Sequence, residues 1–336
     1  MKDERILLGH GSGGSLSHRL IKELFFPIFQ NPILQQLDDS AVLGKLDGEV
    51  VFTTDSYVVE PIFFPGGDIG KLAVCGTVND LAMLGARARY LSAAFILEEG
   101  LAVDQLKIIL RSMQQAAAEA QIQIVTGDTK VVPHGAADKI FINTAGLGLR
   151  PAGISVSGNN ARSGDVIIIN GNIAEHGIAV MASREGLELN VSLQSDVAPL
   201  NILVAEILKK VPEVHVLRDP TRGGLATTLN EIAQQSQVGI RIFEKDLPVA
   251  AEVQGVCEIL GLDPIYVANE GKFVLFCRPQ QAEIILSILH IHPYGKNARI
   301  IGQVIDQPKG KVVMETLIGG QRLIDMLAGE QLPRIC

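Results

Sequence analysis

A mixed α/β fold in two domains is what this sequence predicts, on three observations. Short β-branched runs alternate with helical patterns in the first half, Arg150-Pro151-Ala152-Gly153 interrupts them, and a second alternation restarts beyond that break. The 336 residues correspond to about two domains of ordinary size. With 47% hydrophobic and 20% charged residues, 34 glycines and 15 prolines, the chain lies in the globular range, outside the disordered and collagen-like ones.

The elements follow in order. Residues 1–35 are a glycine-rich segment in which Gly9-His10-Gly11-Ser12-Gly13-Gly14 precedes an amphipathic Leu16 to Phe26. Residues 36–152 make the first domain, with strands expected at Val50 to Thr54, Tyr90 to Leu97, Ile122 to Val125 and Lys139 to Thr144, and helices at Ile69 to Leu84 and Val103 to Ala120. The last of these is the clearest: Leu106, Ile109, Leu110 and Met113 recur at three and four while Asp104, Lys107 and Arg111 face away. Residues 153–308 make the second domain, with strands at Asp165 to Asn170 and Gly271 to Cys277 and helices near Ile173 to Arg184, Ala198 to Lys210 and Leu225 to Gln235. Residues 309–336 read as a tail: a helix at Gly320 to Ala328, a stop at Gly329, then Pro333-Arg334-Ile335-Cys336. Fully extended, the stretch after Gly329 would carry the terminal thiol about 24 Å.

A net charge of −8 repels polyanions, so a nucleic acid partner is not expected. No stretch approaches the roughly 20 apolar residues of a membrane helix, and no targeting segment is visible, so a cytoplasmic protein with no membrane partner is expected. The four cysteines (Cys75, Cys257, Cys277, Cys336) contain no C-x-x-C pair, which argues against a zinc ribbon and a disulfide framework. Three read as structural; the thiol at position 336 has no packing reason to be there. The histidines show neither H-x-x-x-H nor H-E-x-x-H spacing, so zinc is not expected.

The Gly9 to Gly14 run satisfies G-x-G-x-x-G, but the preceding strand is too short for a dinucleotide fold; Gly11 and Gly13 fit a loop closing on phosphate or a plain flexible terminus. Acidic residues recur in small-residue turns: Asp38-Asp39-Ser40-Ala41, Thr53-Thr54-Asp55-Ser56, Asn79-Asp80, Thr126-Gly127-Asp128-Thr129 and Arg218-Asp219-Pro220-Thr221-Arg222-Gly223-Gly224. Singly, each is a turn or a cap. Together, Asp38, Asp39, Asp55, Asp80 and Asp219 offer hard oxygen ligands for an Mg²⁺ that bridges nucleotide phosphates. Asp55, Thr126, Gly127, Asp128, Arg218, Thr221, Arg222 and Gly223 join Gly11 and Gly13 as candidate nucleotide contacts. No G-K-[ST] is present, so this is not a Walker-type loop. Asp80 lies in an otherwise apolar segment, where a carboxylate must be paired, metal-bound or a cap. Lys130, after the TGDT turn, and Glu270, in Asn269-Glu270-Gly271, are acid/base candidates or salt-bridge partners.

The order DDSA, TTDS, CGTVNDLAMLGA, TGDTKVV, RDPTRGG, NEG and PRIC resembles the HypE family of hydrogenase maturation proteins from Gly9 to Cys336. That family lies in the superfamily of aminoimidazole ribonucleotide synthetase and selenophosphate synthetase. The acidic turns belong to the superfamily; the terminal PRIC is specific to HypE. A selenophosphate synthetase would carry a Cys or selenocysteine and a Lys in the glycine-rich loop, where His10 and Ser12 stand here.

The resemblance implies a two-domain PurM-like architecture, a homodimer paired through the N-terminal domains, and ATP bound through Mg²⁺. It implies that Cys336 receives a carbamoyl group from a HypF-like carbamoyltransferase, that ATP drives its dehydration to a thiocyanate, and that the cyano group passes to iron on a HypC–HypD complex. Glu270 would then be the base and Lys130 a phosphate or amide contact, with the two roles exchangeable. Two rival readings are a small-molecule synthetase of the same superfamily and a non-catalytic scaffold docking through its PRIC tail.

Overall fold

The structure, a computed structural model, describes residues 4–36, 38, 40–186, 193–327, 329 and 335. Two of the expected site residues, Asp39 and Cys336, lie outside them. The first half runs through α1 (Ser15–Leu20), a π-helical turn at Ile21–Phe25, α2 (Phe26–Phe29), β1 (Glu49–Tyr57), the short strands β2 (Phe63–Phe64) and β3 (Gly67–Asp68), α3 (Ile69–Met83), β4 (Arg87–Glu98), α4 (Val103–Glu119), β5 (Gln123–Val132) and β6 (Ile140–Arg150). The amphipathic stretch from Leu16 to Phe26 is thus helical but interrupted by a π turn. Pro27 has no N–H to return to the carbonyl four residues back, so the regular ladder cannot run through this point.

Strands β1, β6, β4 and β5 form one sheet in that order. β4 and β5 are parallel, joined by α4 as a crossover, and the other pairs are antiparallel. α3 covers one face of the sheet. Asp68 caps its start by accepting from Gly70 N (2.7 Å) and Lys71 N (3.0 Å). Nearly every side chain of α3 is buried, because the helix also packs against the second half of the chain through α6 and β8.

The second half adds β7 (Val166–Ile169), α5 (Glu175–Arg184), α6 (Asn201–Lys210), β8 (Val216–Arg218), α7 (Gly224–Ser236), β9 (Gly239–Phe243), α8 (Ala251–Leu260), β10 (Val274–Cys277), α9 (Pro279–Ile291), β11 (Arg299–Ile305), β12 (Lys311–Glu315) and β13 (Gln321–Ile324). The sheet order is β13-β12-β9-β11-β7-β10-β8. β10 is buried throughout and β7 nearly so, since helices cover both faces.

One expected element is overturned. The helix placed at Gly320 to Ala328 is a strand over Gln321–Ile324, paired with β12 in the register Val312↔Ile324. Residues 311–324, assigned to the tail, therefore belong to the second sheet. The inward side chain is Ile324, which is fully buried, and the ladder to β12 outweighs local helix preference.

Cys75, Cys257 and Cys277 are free, buried thiols. Burial pushes Cys257 up to about 11, Cys277 up to about 12, and Cys75 higher still. Among the described residues no helix is long and apolar enough to cross a membrane.

Candidate functional site

β1, α3, β8 and the loop before β10 meet around a cavity of about 380 Å³ whose lining includes Thr53, Asp55, Asp80, Arg218, Asp219, Thr221, Arg222 and Glu270. Alternation along β1 puts Thr53 and Asp55 on the same face of the sheet, turned toward α3. Thr53 Oγ1 donates to Asp80 Oδ2 at 3.0 Å. Asp80 is no cap: α3 runs unbroken from Ile69 to Met83, and Asp80 sits in its last turn. Burial, reinforced by the negative charge of Asp219, pushes its carboxyl up to about 7. Burial raises Asp219 too, against the pull of Arg218.

The turn carrying Asp219 is shaped by two left-handed glycines, Gly223 (φ 74°) and Gly224 (φ 61°), that open α7. A Cβ on Gly224 would meet the backbone of residues 265–267 within 2.6–2.7 Å, so no other residue fits there. Asn269 ties this turn to the next segment: its Nδ2 donates to Pro220 O at 2.8 Å, and its backbone N–H donates to the same carbonyl at 3.2 Å.

Glu270 follows immediately and is 4% exposed. Burial raises its carboxyl well above the usual range, and Asp196, Asp219, Asp55 and Asp80 add to the effect. Its backbone is held from two sides. Asn79 Nδ2, one residue before Asp80, donates to Glu270 O at 3.2 Å, and Glu270 N donates to Asp196 Oδ1 at 3.2 Å. Asp196 also accepts from Gly271 N (3.1 Å) and Lys272 Nζ (2.9 Å). Burial favours a neutral Asp196, but the Lys272 ammonium and the hydrogen bonds from Lys272 and the Glu270 N–H outweigh it and hold the carboxylate below its ordinary range.

A second cleft, of about 330 Å³, gathers Gly11, Gly13, Asp38, Thr126, Gly127, Asp128 and Lys130. The glycine loop lies against β5: a Cβ on Gly11 would overlap the backbone nitrogen of Val131. Lys130 Nζ pairs with Asp128 Oδ2 at 2.9 Å, both side chains exposed, and this pairing lowers the Asp128 carboxyl.

The two clefts are apart in one chain. Asp55, Thr144, Ala93 and Gly127 form a single row across the sheet, three strand spacings or about 14 Å from end to end. Asp128 and Lys130 are in register with Ala94 and Ile96, on the face opposite Asp55. The structure therefore brings together Asp55, Asp80, Asp219, Arg218, Thr221, Arg222 and Glu270, whereas Asp38 joins Lys130 in the second cleft. Spacing along the chain carries no information on which edge of a sheet a turn occupies.

Among the described residues, no group of three His, Cys, Asp or Glu side chains is gathered tightly enough to hold a metal ion unaided. Mg²⁺ commonly takes one or two carboxylates and completes its shell with water and phosphate oxygens. Crowded acids whose carboxyls are raised by burial and further by one another's charge fit such a cation, because its charge offsets both.

Sequence reasoning missed His176, Ser195, Asp196 and Lys272. The available signal was charge in an apolar setting: Lys272 directly precedes the run Phe273 to Cys277, and Asp196 precedes Val197-Ala198-Pro199-Leu200.

Comparison with known proteins follows the same division of the chain. Residues 37–150 match the model of the AIR synthase related protein N-terminal domain, and residues 162–315 match that of its C-terminal domain. A carbamoyl dehydratase HypE of Cupriavidus necator is 52% identical over 337 residues, covering 100% of this chain and 96% of its own. A crystal structure of the hydrogenase maturation protein HypE in complex with ATP superposes with a TM-score of 0.95 at 53% identity, covering 98% of this chain and 99% of that one. The crystal structure of a HypE–HypF complex gives 0.81 at 49% identity, covering 92% and 99%. With half its residues identical to these proteins over its full length, and both domain models matched, the chain belongs to the HypE family of carbamoyl dehydratases.

Proposed function

We propose that this chain uses ATP to dehydrate a carbamoyl group carried on the Cys336 thiol to a thiocyanate, supplying the cyanide ligand of iron in hydrogenase maturation. The observation that carries this reading is Glu270: a buried carboxyl of raised proton affinity, facing a cavity rimmed by three aspartates.

An amide oxygen leaves poorly. Transfer of the γ-phosphoryl group to that oxygen releases ADP and one amide proton and gives an S-bound imidoyl phosphate; loss of the remaining N–H proton forms the C≡N bond as phosphate departs. The nitrogen protons are weakly acidic, so the base must hold a proton tightly, and a carboxyl raised by burial does so better than an exposed one. Asp55, Asp80 and Asp219 would hold Mg²⁺, which would neutralise charge on the transferring phosphoryl group. Arg218, Arg222 and the amides of the turn at Thr221 and Gly223 would bind phosphate oxygens.

Lys130, Asp128, Thr126, Gly127 and the Gly11–Gly13 loop enter through a second copy. The open face of the first sheet exposes Val50 (52%), Phe52 (68%) and Ile96 (43%), and a homodimer built on this face would cover them. Asp128 and Lys130 lie on that face, so the partner would receive them beside its own aspartates.

A HypF-like carbamoyltransferase is the donor of the carbamoyl group, supported by the HypE–HypF complex of a relative. A HypC–HypD complex is the acceptor of the cyano group, and the cytoplasm is the site of action. Replacing Cys336 with Ala tests the reading: ATP binding by calorimetry should persist while thiocyanate formation disappears. Unchanged ATP-dependent product formation in this variant would refute it.

A further inference from the structure

The reaction proposed above needs more than a reactive cavity, because its substrate rides on the protein's own chain and must be brought to Glu270 in one orientation. Ile335 is the residue bonded to Cys336. Its side chain is 6% exposed and packs in a core cluster that includes Val180, Val197 and Ala268. Its carbonyl oxygen lies 2.9 Å from His176 Nε2.

The hydrogen bonds around His176 determine which nitrogen carries the proton. The Ile335 carbonyl can only accept, so Nε2 of the neutral ring carries the proton and donates to it. Nδ1 then accepts the hydroxyl proton of Ser195, whose Oγ lies 2.8 Å away and itself accepts from Val197 N at 3.1 Å. Burial lowers the affinity of the ring for a second proton, so the neutral tautomer is retained. Ser195 is itself fixed, since its N–H donates to Pro65 O at 2.8 Å, and Phe64 stands edge-on to the imidazole with ring centres 5.4 Å apart.

The same short segments hold Glu270. Asp196, next to Ser195, accepts the Glu270 N–H. The start of α5, which carries His176, is bound by the two residues before Glu270: Gly177 N donates to Ala268 O at 3.1 Å and Ala174 N donates to Asn269 Oδ1 at 2.7 Å. The anchor of the arm and the base are therefore referenced to one rigid piece of backbone.

We propose that His176, oriented by Ser195, is a positioning residue that grips the peptide carbonyl ahead of Cys336 and so registers the carbamoylated thiol against Glu270. His176 touches no reacting atom; it acts through Ile335. The inference rests on the carbamoyl dehydratase reading. It differs from that reading in what fails when the residue is changed.

The test uses the full chain, carbamoylated by a HypF-like protein and then given saturating ATP, with loss of one water followed by intact mass in single turnover. His176→Ala should slow dehydration by about tenfold or more, as expected for loss of one orienting hydrogen bond. Carbamoylation rate and KM for ATP should stay within about twofold, since neither requires the docked arm. His176→Gln, whose Nε2 can occupy the place of the ring Nε2, should recover most of the rate, and Ser195→Ala should fall in between. Wild-type dehydration in both His176→Ala and Ser195→Ala would overturn the proposal, as would a His176→Gln variant as slow as His176→Ala with an unchanged melting temperature. If His176→Ala does not fold, Ser195→Ala decides alone: a slowed rate supports the proposal and a wild-type rate overturns it. Failure of the wild-type chain to lose water would instead refute the carbamoyl dehydratase reading.

Discussion

Lys272 Nζ lies 2.9 Å from Asp196 Oδ2, with both side chains almost wholly withdrawn from water. Burial disfavours the lysine charge, but Asp196 and Glu175 together more than offset it, so Lys272 remains an ammonium. Asp196 in turn fixes the backbone of Glu270 and Gly271. Lys272→Met strips the carboxylate of its cation and leaves an uncompensated buried charge, a loss of about 3–5 kcal/mol. Urea denaturation measures it, and a loss below about 1 kcal/mol would show that the pair is not a support of the site.

Stability without nucleotide or cation should depend on pH through Asp80. Its carboxyl is raised to about 7 in the folded chain and returns to the ordinary carboxylate range near 4 on unfolding. The folded state binds more protons between about pH 4 and 7, so stability is greatest below this window and falls as pH rises through it. Glu270 and Asp219 are raised as well and act in the same direction. In EDTA the melting temperature should therefore drop between about pH 4 and 7, by about 2–4 °C for each kcal/mol of penalty. Asp80→Asn should flatten the slope; parallel profiles for the two proteins would contradict the assignment.

If the second copy supplies Lys130, variants damaged in different clefts should complement each other. Lys130→Ala and Glu270→Gln homodimers should each lose about 10²- to 10⁴-fold in dehydration rate, the range for a removed acid or base group. Mixed and re-equilibrated, they should regain about a quarter of wild-type activity, from heterodimers with one intact site. No recovery in a mixture shown by native mass spectrometry to contain heterodimers would place the whole site in one chain.

The glycine loop makes a narrower prediction. Gly11→Ala forces a methyl group into the backbone of Val131, so the loop must lift from β5. KM for ATP should rise about tenfold, equivalent to roughly 1.4 kcal/mol. Gly14→Ala, where a Cβ meets nothing within 4 Å, should leave it near wild type. Equal KM values for both variants would remove the loop from the nucleotide site.

Much of this arrangement was legible in the chain, for identifiable reasons. α4 announces itself because one of its faces is exposed and the other buried. α3 was visible as a continuous apolar segment, and Asp80 within it stood out as a charge with no cheap place to go. The strand at Gln321–Ile324 was not visible, since its stability comes from pairing with β12 and only Ile324 of its four residues is buried. The division of the acidic turns between two clefts was equally hidden, because it depends on β1 and β5 standing at opposite edges of one sheet. His176 offered no spacing pattern at all: its partner carbonyl lies 159 residues further along the chain.

Dehydration on the terminal thiol is tested most directly by the intact mass of the full chain, first with a carbamoyl source and a HypF-like transferase, then with ATP. The expected result is a gain of one carbamoyl group followed by loss of one water, both mapping to Cys336. A carbamoyl group found on another residue, or one retained at Cys336 while ATP is consumed, would contradict it.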